Sequence, residues 1–584
     1  MGDNNNRDQP RSTVGRRTLL SAGATLGALT VAGCSFGGTE NAQALPDQPT
    51  ADDGTVAYQY FHAEWTEIEA DVPRLADAGI DAIWVQQPAR GKLGWDDLSY
   101  DGEYGYYDET SPYGFRDPHP PVGYQPVDLS DLDSTFGTAD ELESMIEACH
   151  AHDIEVIVDV VANHMATADG PDGEVELPQF DRDEHFHDNG TLGEDCQLDG
   201  EEAEYECDLL GLPSFDLENS HVQDVHADYL GQIADLGADG LRYDAAGHIW
   251  PWYFESELNA LADDLDLWRV GEVWDYDVER LLEFADTGMT VFDFPLYDAI
   301  VDAFEGGSMA ELSQDAARGV VHERPEAAVT FVQNHDTVGP GVDEDEPEGR
   351  AVELAEAFVL TYAGLPMVYR SGPENRSELE DEAFHDLVAV SQEFAHGEVI
   401  DRHVDDDSYV YERDGNLLAG INTDEQAVTH TVQTAWTNET LVDQTGHGDG
   451  VETDGDGQAT LEIPAEGWVM YTPGEPDDGD DNGDDDDEDD TGDTEERTLR
   501  VTVDVEYGES VYFTGNTAEL TEWNGGIEGT WTEGNVWEVT VDADDDLEWK
   551  TRRGPTDDTG DVWERGENHT AAETHPTHQG WEDE

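Results

Sequence analysis

Positive charge is scarce in this chain. Its 25 Lys and Arg stand against 140 Asp and Glu in 584 residues, a formal charge of −115 and a pI near 4.1. Such a surface repels nucleic acid and anionic membranes, which argues against both as partners. Cysteine is sparse as well, with 4 residues, and no Cys/His spacing has the pattern of a zinc site. The apolar run Leu19 to Ala32 is too short and too rich in Gly and Ala to cross a bilayer. What is present argues against disorder: 37% hydrophobic and 9% aromatic residues supply a core, and the length suffices for several domains. The expected protein is folded beneath a solvated acidic surface that stays soluble in concentrated salt, where screening weakens self-repulsion.

The beginning of the chain carries a processing pattern. Arg16-Arg17 precede the apolar run, which ends in Val31-Ala32-Gly33-Cys34. This resembles a twin-arginine export signal joined to a lipobox over residues 1–34, implying export and lipidation at Cys34. Residues 35–54 then form a tether. Cys196 and Cys207 share one polar loop region and suit a disulfide in an exported protein. Cys149, on the amphipathic helix Glu141 to His152, reads as a buried free thiol. The acidic composition as a whole resembles proteins of salt-loving archaea.

From Val56 to about Phe394, strand-like runs alternate with helical ones: Val56–Tyr60, Asp81–Val85, Glu155–Val161, Leu241–Ala245, Leu267–Val273, Thr290–Phe294, Val329–Gln333 and Pro366–Tyr369, with helices such as Glu67–Ala78 and Ala139–His152 between them. About eight such units suggest an α/β fold, a (β/α)8 barrel built from residues 55–164 and 212–395. The polar stretch 165–211 is an insertion after the third strand, and 396–472 reads as an antiparallel β-domain. Residues 473–497 form a self-repelling acidic linker, and 498–584 a second, Trp-rich β-module.

In such a barrel chemistry gathers at the C-terminal ends of the strands. One end holds Arg242 and Asp244, two apart and therefore on one face. Alone they read either as an ordinary ion pair or as a carboxylate held ionised and aimed for attack. Their company favours the second reading: other strand ends carry Asp159 to His164, Gly271-Glu272-Val273-Trp274 and Asn334-His335-Asp336. Asp244, Glu272 and Asp336 suit glycosidic cleavage, which needs one ionised carboxylate and one protonated acid.

Those blocks, with the weaker Gly211 to Asp216, resemble glycoside hydrolase family 13, the α-amylase family, over roughly Val56 to Tyr471. The resemblance implies Asp244 as nucleophile, Glu272 as general acid/base and Asp336 as transition-state stabiliser. Arg242, His164 and His335 match residues lining the subsite of the attacked glucose. Tyr124 matches an aromatic that stacks on that sugar, although a core tyrosine is an equal reading. The family's structural Ca²⁺ implies Asn163, the backbone carbonyl of His248, and an insertion carboxylate. Ser214 stands where many members place an aspartate, so Asp216 or an acid within Asp181 to Asp208 would have to compensate. Gly247 replaces a Lys that many members use on the leaving side.

The last module resembles a family 20 starch-binding β-sandwich. By position, Trp523 and Trp563 with Lys550 match one sugar platform, Tyr507 and Trp531 a second, while Trp537 reads as core. The resemblance implies retaining endo-hydrolysis of α-1,4 bonds in starch- or glycogen-type glucans, with no protein partner implied. A same-family transglycosylase making cyclodextrins, and a non-catalytic glucan-binding surface lipoprotein, are the alternatives.

Overall fold

The computed structural model describes residues 54–94, 122–337, 347–369 and 379–474, apart from isolated positions, and parts of 495–570. The chain divides between Asp478 and Gly479 into two compact units. The export signal with Cys34, nearly all of the tether and most of the acidic linker lie outside the described residues. Among the described residues no helix is long and apolar enough to cross a membrane.

Eight strands close the barrel in chain order: β1 (Ala57–Gln59), β2 (Ala82–Val85), β3 (Glu155–Val161), β4 (Gly240–Asp244), β5 (Trp268–Gly271), β6 (Thr290–Phe292), β7 (Ala328–Thr330) and β8 (Leu365–Tyr369). Each is parallel to its neighbours. Strands such as β2 and β8 are buried along their whole length, as parallel strands covered by helices must be. Alternation sorts their side chains. Ala57, Trp84, Ile157, Val270, Phe292, Val329 and Met367 fill the barrel interior, while Tyr58, Ile83, Val158, Leu241 and Val291 join the core outside it. Gly240 pairs with Trp268 and yields the interior to it, since a Cβ there would stand 2.7 Å from the indole.

The first two helices show why the local sequence folds as it does. α1 (Trp65–Asp77) opens with a Glu64/Glu67 capping box, so it starts two residues before the expected Glu67. α2 (Ala139–Ala151) opens with a Thr138/Glu141 box and buries Leu142, Met145, Ile146 and Cys149. Cys149 is a buried free thiol, and burial pushes it up to about 12.

The insertion is tied to the barrel by main-chain bonds: Ala166 N–H donates to Pro126 O at 2.9 Å and His187 N–H to Ser214 O at 3.0 Å. Cys196 and Cys207 form a disulfide, and Phe180, Phe186 and Phe215 pack into a small core in which Phe186 stacks on Phe215 and Phe180 meets both at a steep angle. A short helix, Glu201–Glu206, ends beside the Ala246–His248 turn, where Glu204 O meets His248 Nδ1 at 3.0 Å.

Beyond the barrel lie β9 (Val399–Val404), β10 (Ser408–Arg413), β11 (Leu417–Asn422), β12 (Val428–Gln433), β13 (Thr440–Asp443), β14 (Val451–Glu452), β15 (Gln458–Ile463) and β16 (Gly467–Pro473). They make a six-stranded sheet, β9-β10-β11-β16-β13-β14, and a two-stranded one, β12-β15. One face of the large sheet, with Tyr409, Tyr411, Ala419 and Met470, continues the barrel's outer core. The other face, with Val410, Leu418 and Val469, packs on Val432, Leu461 and Ile463.

The second unit consists of two antiparallel sheets around Leu499, Val511, Phe513, Trp537 and Trp549. Its first strand, Glu495–Thr502, reaches back into the acidic stretch, so the linker ends earlier than residue 497. His569–Thr570 adds a short strand beside Glu548 and Trp549.

Candidate active site

Register builds the site. β3 and β4 pair Asp159 with Arg242 and Val161 with Asp244, so Asp159, Arg242 and Asp244 face the barrel interior from adjacent strands. Glu272 follows the last residue of β5, and its N–H donates to Tyr243 O at 3.0 Å, which continues the ladder by one bond.

One guanidinium organises three carboxylates. Arg242 Nη1 donates to both oxygens of Asp159 at 3.0 Å and to Asp244 Oδ1 at 2.9 Å, and Nη2 lies 2.9 Å from Glu272 Oε1. Arg242 is 1% exposed, Asp159 0%, Asp244 7% and Glu272 8%. Trp84 lies under the cation, 4.8 Å from ring centroid to guanidinium carbon. Three acids on one base in a dry interior cannot all stay ionised cheaply. Burial pushes the Glu272 carboxyl up to about 8 against the pull of Arg242, and the charges of Asp244 and Asp336 add to the rise. Burial also raises Asp159, again opposed by Arg242 and helped by Asp244.

Ala245 completes the grip on Glu272. Its backbone is left-handed, φ 46° and ψ 37°, which costs a non-glycine residue about 1–2 kcal/mol. In that conformation its N–H donates to Glu272 Oε2 at 2.8 Å. The bond orients the Glu272 carboxyl and, by favouring its ionised form, opposes the rise that burial imposes.

The seventh strand end joins through tyrosine and histidine. Tyr124 donates its hydroxyl to Asp159 Oδ2 at 3.0 Å and meets His335 Nε2 at 2.7 Å, with the two rings stacked at 15°. His335 Nδ1 is held by Gln59 Nε2 at 2.9 Å, and its Nε2 lies 3.1 Å from Asp336 Oδ2. The Asp336 side chain is the most open of the acids, at 30%. His164 Nε2 meets Tyr124 O at 3.0 Å, and burial lowers the imidazole's proton affinity. Asp244, Glu272, Asp336, Arg242, His164, His335 and Tyr124 therefore meet in one network. Sequence reasoning assigned no role to Asp159, Gln59 or Trp84. The legible signal for Asp159 was a carboxylate in the middle of an otherwise apolar strand, in register with Arg242.

The residues expected around calcium each bond to the insertion or its flank: Asn163 O accepts the Phe215 N–H, Asp216 N–H donates to His185 O, and His248 Nδ1 meets Glu204 O. Asn163 is buried, with Nδ2 3.3 Å from His164 Nδ1. Asp216 turns Oδ1 to the Glu218 N–H at 3.2 Å. Asp208, which the sequence left within a range, accepts from Ser214 N–H at 3.1 Å, and Ser214 bridges to His164. Burial raises the Asp208 carboxyl, opposed by the Ser214 N–H. On the rim beyond Glu272, Trp274 is 47% exposed and stacks on Phe294 at 4.7 Å.

In the second unit, Lys550 is buried and Trp563 half-buried, with the Arg552 guanidinium 4.7 Å from the Trp563 ring. Tyr507 and Trp523, and the side chain of Trp531, lie outside the described residues. Trp537 is in the core.

The chain resembles known proteins in sequence and fold. The chain matches the family described as "Alpha amylase, catalytic domain" over residues 68–392, "Alpha-amylase C-terminal" over 417–472 and "Starch binding domain" over 496–582. It is 26% identical over 484 residues to an alpha-amylase of Streptomyces violaceus, covering 77% of this chain and 83% of that one. It is 26% identical over 395 residues to a cyclomaltodextrin glucanotransferase of Bacillus sp. (strain 38-2), covering 59% of this chain and 51% of the transferase. The chain thus spans about half the length of that relative. Two solved structures share the fold: the gamma-cyclodextrin glucanotransferase of alkalophilic Bacillus clarkii (TM-score 0.56, 22% identity, 90% of this chain and 98% of that one) and the acarbose-complexed alpha-amylase of Geobacillus thermoleovorans (TM-score 0.58, 20% identity, 72% and 98%). With more than half of its length matched to the catalytic domain, and Asp244, Glu272 and Asp336 gathered at one barrel rim, the chain belongs to the α-amylase family of glycoside hydrolases and carries a starch-binding domain.

Proposed function

We propose that this protein is an exported, salt-adapted α-amylase that hydrolyses internal α-1,4-glucosidic bonds of starch-type glucans with retention. The observation that carries the reading is the shared guanidinium: Asp244 and Glu272 occupy adjacent nitrogens of Arg242. That brings the two acids close together, as double displacement requires, where separations run about 5–5.5 Å.

In the first step the Asp244 carboxylate attacks the anomeric carbon and the glycosidic C–O bond breaks. The leaving oxygen takes the proton of Glu272. A glucosyl ester on Asp244 remains. Glu272, now ionised, takes a proton from water, and the resulting hydroxide oxygen attacks the anomeric carbon, releasing Asp244. Asp336, open to the cleft and braced by His335, hydrogen-bonds the hydroxyls of the distorted sugar, and the half-buried Tyr124 ring gives that sugar an apolar face.

Calcium belongs to the same reading. The expected donors are oxygens, which suit a hard cation: the Asn163 amide, the His248 carbonyl and an insertion carboxylate. Asp208 and Asp216 are the two carboxylates to test there, and each turns Oδ1 to a main-chain N–H, that of Ser214 and that of Glu218. When bound, the ion would join the insertion to the barrel rim. Export by the twin-arginine route with a lipid anchor at Cys34 rests on the leader pattern and fits the Cys196–Cys207 disulfide. Salt adaptation rests on the charge of −115.

Cyclodextrin-forming transfer is the second reading, favoured by the exposed Trp274 beside the acid/base, a surface on which an acceptor sugar can stack. Product analysis on soluble starch in high salt separates the two. Linear maltooligosaccharides with retained α-configuration support hydrolysis; mainly cyclic products overturn it. Asp244→Asn is expected to lower turnover by at least about 10⁴-fold while starch binding persists. Substantial remaining activity would remove Asp244 from the nucleophile's role.

A further inference from the structure

A group of side chains far from the catalytic network in sequence converges on the edges of the β-domain's two sheets. β9 is an edge strand of the large sheet, and β12 belongs to the two-stranded sheet. His403 on β9 and His430 on β12 stack their rings at 3.8 Å with 27° between planes. Asp405, just beyond β9, brings Oδ2 to 3.0 Å from His403 Nε2. One ligand atom from each of the three lies within 4.8 Å of the others, and this is the one such His/Cys/Asp/Glu group among the described residues.

The group is held from behind. Asp405 Oδ1 accepts the N–H groups of Asp407 and Ser408 and the Ser408 hydroxyl, at 2.8–3.1 Å, which leaves Oδ2 for the histidines. Ser408 Oγ also lies 2.9 Å from His430 Nε2. The β9–β10 register shifts between Asp401 and His403, a bulge of the kind that re-aims a side chain. Oriented ligands with such supports are what metal sites need.

We propose that His403, Asp405 and His430 bind a first-row transition-metal ion of the Zn²⁺ type, fastening β9 to β12. Two imidazoles and one carboxylate suit a borderline-soft ion; a hard cation such as Ca²⁺ prefers an all-oxygen shell. Water supplies the remaining positions, because Asp405 is exposed and both rings are partly open. The site is structural: it clamps two strand edges that otherwise meet through side chains alone.

The acidic surface gathers divalent cations loosely, so the test must read nitrogen ligation. The full chain, with Ca²⁺ in excess to fill oxygen sites, is titrated with Co²⁺ and then Zn²⁺. One equivalent of Co²⁺ is expected to give visible bands typical of imidazole ligation, displaced by Zn²⁺. His403→Gln and His430→Gln should each weaken Zn²⁺ binding by about 10- to 100-fold or more. Zn²⁺ should raise the unfolding temperature of the wild type and not that of either variant. Equal Zn²⁺ affinity in the wild type and the double variant overturns the proposal. X-ray absorption at the zinc edge of the loaded wild type gives a check that needs no variant: a shell with two imidazoles supports the site, and an all-oxygen shell overturns it.

Discussion

A buried carboxylate meets an arginine in both the barrel and the β-domain, and the two clusters balance the charge differently. In the barrel, Arg242 alone faces Asp159, Asp244 and Glu272. In the β-domain, the fully buried Glu412 has a guanidinium to itself: Arg402 reaches its Oε2 through Nε at 2.9 Å and Nη2 at 2.8 Å, and the N–H groups of Ala435 and Gly415 add bonds. Its neighbour Arg413 is satisfied by the carbonyls of Gly397, Thr361 and Tyr362. The β-domain pair is matched one to one and only holds structure. The barrel set is short of positive charge: burial raises the Glu272 carboxyl, the one guanidinium opposes that rise, and the charges of Asp244 and Asp336 add to it.

The largest effects should come from the barrel acids. Glu272→Gln keeps the shape and an acceptor for Ala245 N–H but cannot exchange a proton, so kcat should fall by about 10²–10⁴-fold. Glu412→Gln should leave kcat on starch near the wild-type value. Steady-state kinetics on both variants checks the contrast; a comparable loss in both would mean that the two clusters do not differ in role.

Removing the cations sharpens the same contrast through stability. Arg242→Leu strands three buried carboxylates and should cost about 3–5 kcal/mol near neutral pH. The cost should shrink in acid as those groups take up protons. Arg402→Leu leaves Glu412 two main-chain donors, and its loss should be nearer 1–3 kcal/mol. Denaturant unfolding in high salt compares the two, and a larger loss at Arg402 would reverse the ranking.

A pH series tests the proton itself. The Glu272 carboxyl is raised in the folded state, from 4.5 to about 8. Below 4.5 both states hold the proton and its contribution to stability is complete. Between 4.5 and 8 only the folded state holds it, so rising pH erodes stability until the folded group ionises. Glu272→Gln has no such loss. Its stability advantage over the wild type should therefore grow across that window, by at most about 1.4 kcal/mol per pH unit, and then level off. A difference that stays flat from pH 4.5 to 8 would show that Glu272 is not the raised group.

Much of this was legible in the sequence because both the barrel and the site follow from strand periodicity. Apolar runs at helical intervals predict β1 to β8, and polar residues at their ends predict the rim. α1 begins at the buried Trp65, two residues before the expected Glu67, because its capping box runs from Glu64 to Glu67 and leaves Glu67 inside the first turn. In the β-domain, β10 escaped the pattern because its buried residues include Glu412 and Arg413, which read as exposed until their partners are known. The partners come from β9, from the Ala435 and Gly415 backbone and from the end of the helix Arg350–Thr361. Long-range pairing also hid Gln59, 276 residues from the His335 that it orients. The histidine pair on β9 and β12 was invisible for the same reason.

The smallest expected effect concerns Gly247, which separates bond-breaking from product choice. Its backbone is tied to the acid's strand, with Gly247 N–H donating to Glu272 O at 3.1 Å. A Cβ there would meet Val273 Cα at 3.6 Å and Trp274 N at 3.8 Å, ordinary contacts that leave room for a side chain. Gly247→Lys should therefore fold, and it sets a cation beside the exposed Trp274 without touching Arg242. One added hydrogen bond to a sugar on the leaving side is worth about 0.5–1.5 kcal/mol, so ratios among short maltooligosaccharides should shift by about 2- to 10-fold. The pH dependence set by Glu272 should not move. Chromatography of products beside a pH profile reads both. Unchanged ratios would mean that the leaving side does not pass Gly247, and a displaced pH profile would mean that charge on the rim reaches the buried acids after all.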